Sequence, residues 1–190
     1  MRISYFGETY DIVKQSFLRW LSGLGEWSII PMFTSPVSEE EAKAYQHLMG
    51  PPLLTTDVIT VGVDRAKYFS CAQVGTHLFL DPNTGMRIEH DCNGKRACLF
   101  IFADEFVKMV KDRPGFLTVI HDQSHRRGKS VDSVRSKIKY LAEHGISSFG
   151  YPSQVSFIIA GNEPELVQRA WKQILAESNL PESKFLPSIS

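Results

Sequence analysis

The stretch His77-Leu78-Phe79-Leu80-Asp81-Pro82-Asn83-Thr84-Gly85 predicts a buried strand that ends at a tight turn. Its apolar centre, residues 78–80, is typical of a strand covered on both faces, as in parallel sheets. The proline and the glycine that follow are turn residues, because proline presets φ and glycine accepts positive φ. A carboxylate, that of Asp81, therefore stands at the carboxyl end of a buried strand.

Segments with strand and helix patterns alternate along the 190-residue chain. Strands are predicted at residues 27–33, 58–63, 77–81, 116–120, 149–151 and 155–160. Helices are predicted after residue 9, over 39–48, 64–74 and 104–111, from 130 to about 145, and after 162. This alternation favours a mainly parallel sheet with helices on both faces. We therefore expect one Rossmann-like α/β domain of three layers over residues 1–190.

An antiparallel hairpin is expected as an addition to this sheet. Asn93-Gly94 separates the extended segments 87–92 and 95–102. An Asn-Gly pair between such segments is a strong local hairpin signal, because both residues tolerate positive φ. The turn is therefore predicted at residues 93 and 94.

The composition excludes several classes of protein. Twenty-one basic and twenty-one acidic residues cancel, so the chain has no general attraction to nucleic acid or to an anionic membrane. Three cysteines without a CxxC pair favour a reducing compartment over secretion. The chain shows no apolar run long enough for a membrane span and no signal-peptide pattern at its start. We expect a cytoplasmic protein without a membrane partner.

A second polar segment, residues 121–129, follows the apolar strand predicted at 116–120 and leads into the next helix. It contains His121, Asp122 and His125. Between residues 121 and 139, six basic residues stand against two acidic ones, a local charge of +4. In α/β sheets, ligands bind at the carboxyl ends of the strands. Both polar strand ends are therefore candidates for one functional site.

The residue types at these strand ends indicate chemistry on phosphate. Asp81 and Asp122 at neighbouring strand ends would hold a divalent cation, Mg²⁺ or Mn²⁺. His121 or His125 would act as acid or base, because histidine titrates near neutral pH. Arginine binds phosphate through two parallel hydrogen bonds. The residues assigned to substrate binding are Asn83, Gln123, Ser124, Arg126 and Arg127.

Two motifs carry a resemblance to known proteins. Residues 5–14, Tyr-Phe-Gly-Glu-Thr-Tyr-Asp-Ile-Val-Lys, and the Asp-Pro-x-x-Gly turn at 81–85 resemble a group of uncharacterised bacterial α/β proteins. More distantly they are similar to methyltransferase-like proteins, namely the three-Cys-motif partner proteins and the ribosomal RNA adenine methyltransferases. That similarity implies a Rossmann-like fold and S-adenosylmethionine. Residues 34–36, Thr-Ser-Pro, stand where a glycine-rich cofactor loop would follow the first strand, so the implied cofactor site is atypical or lost.

Three functions remain open at this point. The first is an enzyme acting on nucleic acid or a nucleotide, a hydrolase with metal-dependent phosphodiester chemistry. The second is a methyltransferase-like protein with an atypical or lost cofactor site. The third is a non-catalytic module that binds an anion or a partner through the basic segment. In the third case Asp81 and Asn83 would bond only the backbone amides of their own turn.

Overall fold

The computed structural model describes residues 7–89, 94–125 and 128–187. Seven strands are described: β1 (Trp27–Ile30), β2 (His77–Leu80), β3 (Gly85–Arg87), β4 (Phe100–Phe102), β5 (Thr118–Asp122), β6 (Ser147–Tyr151) and β7 (Ser156–Gly161). Five of them form the main sheet in the order β1-β2-β5-β7-β6, and β3 and β4 form a separate small sheet. Within the main sheet β1, β2 and β5 are parallel, whereas β7 runs antiparallel to both β5 and β6.

Helices cover both faces of the main sheet. They are α1 (Thr9–Leu21), α2 (Glu39–Met49), α3 (Arg65–Phe69), α4 (Ala103–Lys111), α5 (Ser130–Glu143) and α6 (Pro164–Ser178). One face packs against α1, α2 and α6, and the other against α3, α4 and α5. Among these described helices, none has both the length and the apolar character that crossing a bilayer requires.

The strand register separates the two cores. One row of paired residues crosses the sheet through Ile29, Phe79, Val119 and Ile159, and these side chains belong to the core under α1, α2 and α6. The next row belongs to the opposite core, because successive strand residues point to opposite faces. A mainly parallel three-layer α/β arrangement, as the alternation of segments predicts, is therefore confirmed.

The antiparallel hairpin lies elsewhere than expected. The hairpin of the main sheet is formed by β6 and β7. Asn93 falls outside the described residues, as do residues 90–92, and the described parts of the flanking segments, 87–89 and 94–102, do not pair as an antiparallel hairpin. Gly94–Leu99 forms a 3-10 helix, and β4 then pairs in parallel with β3, with Met86 beside Ile101. Both of these side chains are fully buried, so burial of apolar residues outweighs the local turn signal.

The prediction of a strand at residues 58–63 is also wrong. That segment is a loop, and its Ile59 amide donates a hydrogen bond to the carbonyl of Phe33, which lies after β1. The Ile59 side chain is fully buried, whereas Val61 is exposed. Val63 also packs against the core, so burial of single side chains in a loop accounts for the apolar pattern. The helix predicted over 39–48 is confirmed as α2, which begins with a capping box of Ser38 and Glu41.

A close approach between α5 and β6 gives a test of this packing. A Cβ added at Gly150 would overlap the side chain of Val134 and come within 3.1 Å of Ile138 Cδ1. We expect Gly150→Ala to lower the free energy of unfolding by about 1–3 kcal/mol, the usual cost of overpacking a core. Urea denaturation measures this change.

The matched control is Gly75→Ala, where the added Cβ would lie an ordinary 3.9 Å from the Phe116 ring. We expect a change of less than about 1 kcal/mol for this control. Equal effects of the two substitutions would contradict the packing of α5 on β6.

Candidate functional site

The fold places two predicted site residues side by side at the carboxyl edge, the edge at which β1, β2 and β5 end. Leu80 pairs with Ile120, so Asp81 and His121 occupy the next row together. Their side chains face the core under α1, and the His121 ring lies 5.7 Å from that of Phe157. Both side chains are almost completely buried.

The Asp81 network consists of Asp11, Lys14, Tyr45, Asp81 and His121. Lys14 Nζ and the Tyr45 hydroxyl both donate to Asp81 Oδ2, at 2.8 and 2.7 Å, and His121 Nδ1 contacts Asp81 Oδ1 at 3.0 Å. Lys14 also donates to Asp11 Oδ1 at 2.9 Å. The α1 and α2 helices therefore close over the carboxyl end of β2 through hydrogen bonds to one carboxylate.

Electrostatics in this network hold the carboxylate and the ammonium in their charged forms. Burial raises the pKa of Asp81, but the Lys14 charge and the His121 hydrogen bond more than offset it, so the pKa lies well below its usual range. Burial lowers the pKa of Lys14, and Asp81 and Asp11 raise it by more, so it stays above its usual value. The Tyr45 hydroxyl remains protonated, because burial and then the Asp81 charge raise its pKa.

The hydrogen-bond partners of His121 assign its tautomer. Burial, the largest effect, lowers the pKa of His121, so the ring is neutral near pH 7. A carboxylate only accepts hydrogen bonds, so Nδ1 carries the proton and donates it to Asp81. Nε2 is then a lone-pair acceptor, and the Gln123 amide nitrogen donates to it at 3.1 Å. A histidine oriented in this way has the geometry of a general base whose partner is Asp81.

The Asp122 network lies on the opposite face of the sheet and consists of Met86, Asp122, Ser124 and Lys137. Asp122 Oδ2 forms an ion pair with Lys137 of α5. Asp122 Oδ1 accepts hydrogen bonds from the Met86 amide at 3.1 Å and from the Ser124 hydroxyl at 2.7 Å. This network joins β3, β5 and α5.

Gly85 is required by this second network. Its φ is 137°, and a Cβ at this position would overlap the Asp122 carboxylate. The glycine of the Asp-Pro-x-x-Gly turn therefore permits the turn geometry and also the close approach of Asp122 to β3.

A cleft of about 730 Å³ opens beside the Asp122 network. We call it the basic cleft. Its cationic side chains are Arg87, Arg96 and Lys137, and Glu89 is the acid that lines it. The remaining lining residues are polar or apolar: Thr84, Met86, Ile88, Phe100, Gln123, Ser124, His125, Ser133 and Ser136. The volume lies in the range of small-molecule sites.

His125 lines the basic cleft and has one ring nitrogen without a partner in the described part of the chain. Its Nε2 lies 3.3 Å from the Ser156 hydroxyl oxygen, and Nδ1 is buried without a hydrogen bond. The Ser156 hydroxyl donates its proton to the Ser153 carbonyl at 2.9 Å. Nε2 of His125 therefore donates to Ser156, and the lone pair of a neutral His125 is on Nδ1.

The structure does not form the metal site predicted from Asp81 and Asp122. Consecutive residues of β5 point to opposite faces, so Asp122 lies away from His121 and from Asp81 beside it. Each carboxylate is also occupied, by Lys14 on one face and by Lys137 on the other. The described residues contain no group of three or more His, Cys, Asp and Glu side chains that would hold a metal ion. These residues do not fit a shared Mg²⁺ or Mn²⁺.

The residues after β1 do not fit S-adenosylmethionine either. Pro31, Met32 and Phe33 follow β1 as an irregular segment and are all buried. Met32 adopts a φ of 47° without being glycine. A loop whose backbone approaches a cofactor needs glycine and open space, and Tyr45 occupies this region by packing its ring on Phe33.

The other predicted site residues are divided between the two faces. Gln123 and Ser124 line the basic cleft, as does His125, whereas half-buried Asn83 does not. Asp81 accepts its hydrogen bonds from side chains of the described residues rather than from its turn. Arg126 and Arg127 lie outside the described residues.

Several residues of the two networks and the basic cleft belong to no sequence motif, so local patterns do not predict them as site residues. Lys14 and Tyr45 contact Asp81 from 67 and 36 residues away in the chain. Arg87 and Arg96 precede and follow the misplaced hairpin turn. The Asp-x-x-Lys spacing of Asp11 and Lys14 within α1 is the one pattern that could have indicated a buried pair.

The comparisons with known proteins give no family. No protein-family model matches the chain, and neither a curated protein nor a solved structure matches it. The site is therefore interpreted from its own geometry.

Removal of the Lys14 charge tests the Asp81 network. We expect Lys14→Met to lower the free energy of unfolding at pH 7 by about 3–5 kcal/mol, because it leaves two buried carboxylates without their cation. Urea denaturation measures the loss. The control Lys43→Met breaks an exposed pair with Glu39 and is expected to cost less than about 1 kcal/mol. A Lys14→Met loss no larger than the control's would contradict the network.

The lowered pKa of His121 predicts a pH dependence of stability. The unfolded chain takes up a proton near the ordinary histidine pKa of about 6.5, whereas the folded protein does not. Stability therefore falls as the pH decreases through this value, by up to about 1.4 kcal/mol per pH unit for one proton.

We expect His121→Asn, which keeps an N–H donor for Asp81, to flatten the stability curve between pH 7 and pH 5. The control His144→Asn changes a surface histidine and is expected to retain the wild-type slope. Denaturant midpoints across this pH range measure both, and an unchanged slope in His121→Asn would refute the assignment of a neutral ring.

Proposed function

We propose that the protein is an enzyme acting on a phosphate-containing substrate, a nucleotide or a nucleic-acid end, bound in the basic cleft. The observation that carries this proposal is the set of side chains that line the cleft at the carboxyl edge. Arg87, Arg96 and Lys137 line it together with hydroxyl groups of Ser133 and Ser136. Guanidinium, ammonium and hydroxyl groups are the donors that bind phosphate oxygens.

The positive charge of the cleft comes mainly from its arginines. Lys137 is offset by Asp122, with which it forms an ion pair. Arg96 is exposed, and the Arg87 guanidinium lies 5.2 Å from the centre of the Phe100 ring. The planar guanidinium of an arginine matches the geometry of phosphate oxygens and also stacks on aromatic rings. Arg96 and Arg87 are therefore assigned to the substrate phosphate.

We assign proton transfer to His125, and His121 supports Gln123 at the cleft. His125 lines the cleft and has an unpaired acceptor at Nδ1. His121 is reached from the cleft through Gln123, whose amide group bonds His121 Nε2. In this proposal His125 exchanges protons with the substrate, and Asp81 orients His121 behind Gln123. The few cysteines of the sequence favour a reducing compartment, so the cytoplasm remains the predicted location of this enzyme.

A non-catalytic anion-binding module is the second candidate. The observation that favours it is the burial of the Asp81 network, in which His121 retains only 2% of its exposure. In that case the network would only fix α1 and α2 to the sheet. The basic cleft would bind an anion without turnover.

Substitution of Arg96 tests phosphate binding. We expect Arg96→Gln to weaken binding of inorganic phosphate and of adenosine 5′-monophosphate about tenfold, which corresponds to the loss of one charged hydrogen bond. Isothermal titration calorimetry measures both ligands. The control Arg135→Gln removes the same charge from α5 at a position that does not line the cleft. It is expected to leave both affinities unchanged, and equal effects of the two variants would refute the site.

Hydrolysis of p-nitrophenyl phosphate and of its bis ester separates the two candidate functions. An enzyme releases p-nitrophenol, and inorganic phosphate competes with this reaction. Phosphate binding that depends on Arg96, without turnover of either ester, would favour the non-catalytic module.

A further inference from the structure

Ser124 is the hydroxyl group at the basic cleft with the most charged surroundings. Its Oγ accepts a hydrogen bond from Lys137 Nζ at 2.5 Å and lies 2.7 Å from Asp122 Oδ1. The Met86 carbonyl oxygen is 2.8 Å away. The one hydroxyl proton therefore points to an acceptor, and a lone pair of Oγ already faces a cation.

We propose that Ser124 is a nucleophile that accepts a phosphoryl group from a phosphate ester or acyl phosphate in the basic cleft. The inference rests on the proposed function, because the cleft must first hold the phosphate. It assigns Asp122 as the proton acceptor and Lys137 as the positioning residue that stabilises negative charge on Oγ. An adjacent base and a nearby cation are the usual means of activating a serine.

The transfer step balances without a further reagent. A bond forms between Ser124 Oγ and phosphorus while the bond from phosphorus to the leaving oxygen breaks, and the leaving group keeps the electron pair. The hydroxyl proton passes to Asp122 Oδ1 and from there to the leaving group or the solvent. Water then attacks phosphorus and gives up a proton, and the bond from phosphorus to Oγ breaks. Oγ keeps the electron pair and takes up a proton, which regenerates the Ser124 hydroxyl, and inorganic phosphate leaves.

The other serines of the cleft lack this arrangement. The Ser136 hydroxyl donates to the Asp132 carbonyl of its own helix at 2.9 Å, a contact that supplies neither a base nor a cation. Ser124 alone among the cleft serines shares hydrogen bonds with both members of a buried ion pair in the described structure. Asp122 and Lys137 retain 0% and 6% of their side-chain exposure in that pair. The water-poor setting strengthens the effect of both charges on Oγ.

Acetyl phosphate is the probe for this step, because acetate leaves without needing a proton. The folded protein is incubated with acetyl phosphate and quenched in acid, and phosphoserine is located by tandem mass spectrometry. We expect phosphoserine at residue 124, at least tenfold more than in protein denatured by urea before the incubation. Ser124→Ala is expected to abolish it. The control Ser70→Ala removes an exposed hydroxyl that bonds the Lys67 carbonyl and is expected to leave the modification at 124 unchanged.

The outcomes distinguish this inference from the function on which it rests. Absence of phosphoserine at 124, or an equal amount in the denatured protein, overturns the nucleophile. If phosphate binding still depends on Arg96 in that case, the proposed function stands without a covalent intermediate. If residue 124 is modified and Arg96→Gln reduces the modification, the result supports Ser124 as the nucleophile and places it in the same cleft as Arg96.

Discussion

The alternation of side chains along β5 is the constraint on which both sites depend. His121 and Asp122 are neighbours in the chain, yet they point to opposite faces of the sheet. One joins the core under α1 and the other the core under α5. Two polar networks therefore exist where a local interpretation expects one, and each one is built around a carboxylate at the carboxyl edge.

Each network solves the same electrostatic problem with a lysine from the helix above it. A buried carboxylate costs several kcal/mol unless it is paired and hydrogen-bonded. Lys14 reaches Asp81 from α1, and Lys137 reaches Asp122 from α5. These ion pairs also fix where the two helices sit on the sheet, because a displaced helix would leave a charge buried alone. Stability and the geometry of the edge are thus linked through the same contacts.

Sequence patterns predict most of the strands and helices of this arrangement, but they predict few of the side-chain contacts at the carboxyl edge. The strand at 77–81 and the rule that ligands gather at carboxyl ends together place Asp81 near His121. Alternation along β5 places His121 and Asp122 on opposite faces, so only one of them shares a face with Asp81, and the register selects His121. The contributions of Lys14 and Tyr45 were not available to local patterns, because they depend on which helices pack on which face. The hairpin prediction at residues 93 and 94 was wrong for a similar reason. Burial of Met86 and Ile101 favours the parallel pairing of β3 with β4, and a local turn pattern does not report this burial.

The two faces differ in what a ligand can reach. The Asp81 network is closed by α1 and α2, and every oxygen of its central carboxylate is already bonded. The Asp122 network ends at Ser124, which lines an open cleft with arginines around it. The hydrogen bond from Lys137 to Ser124 Oγ becomes stronger as negative charge develops on this oxygen during a reaction. The hydrogen bonds to Asp81 do not change in the same way, because no charge develops on Asp81. We therefore place the proposed phosphate chemistry on the face of Asp122 and assign to the Asp81 network the role of holding the edge in place.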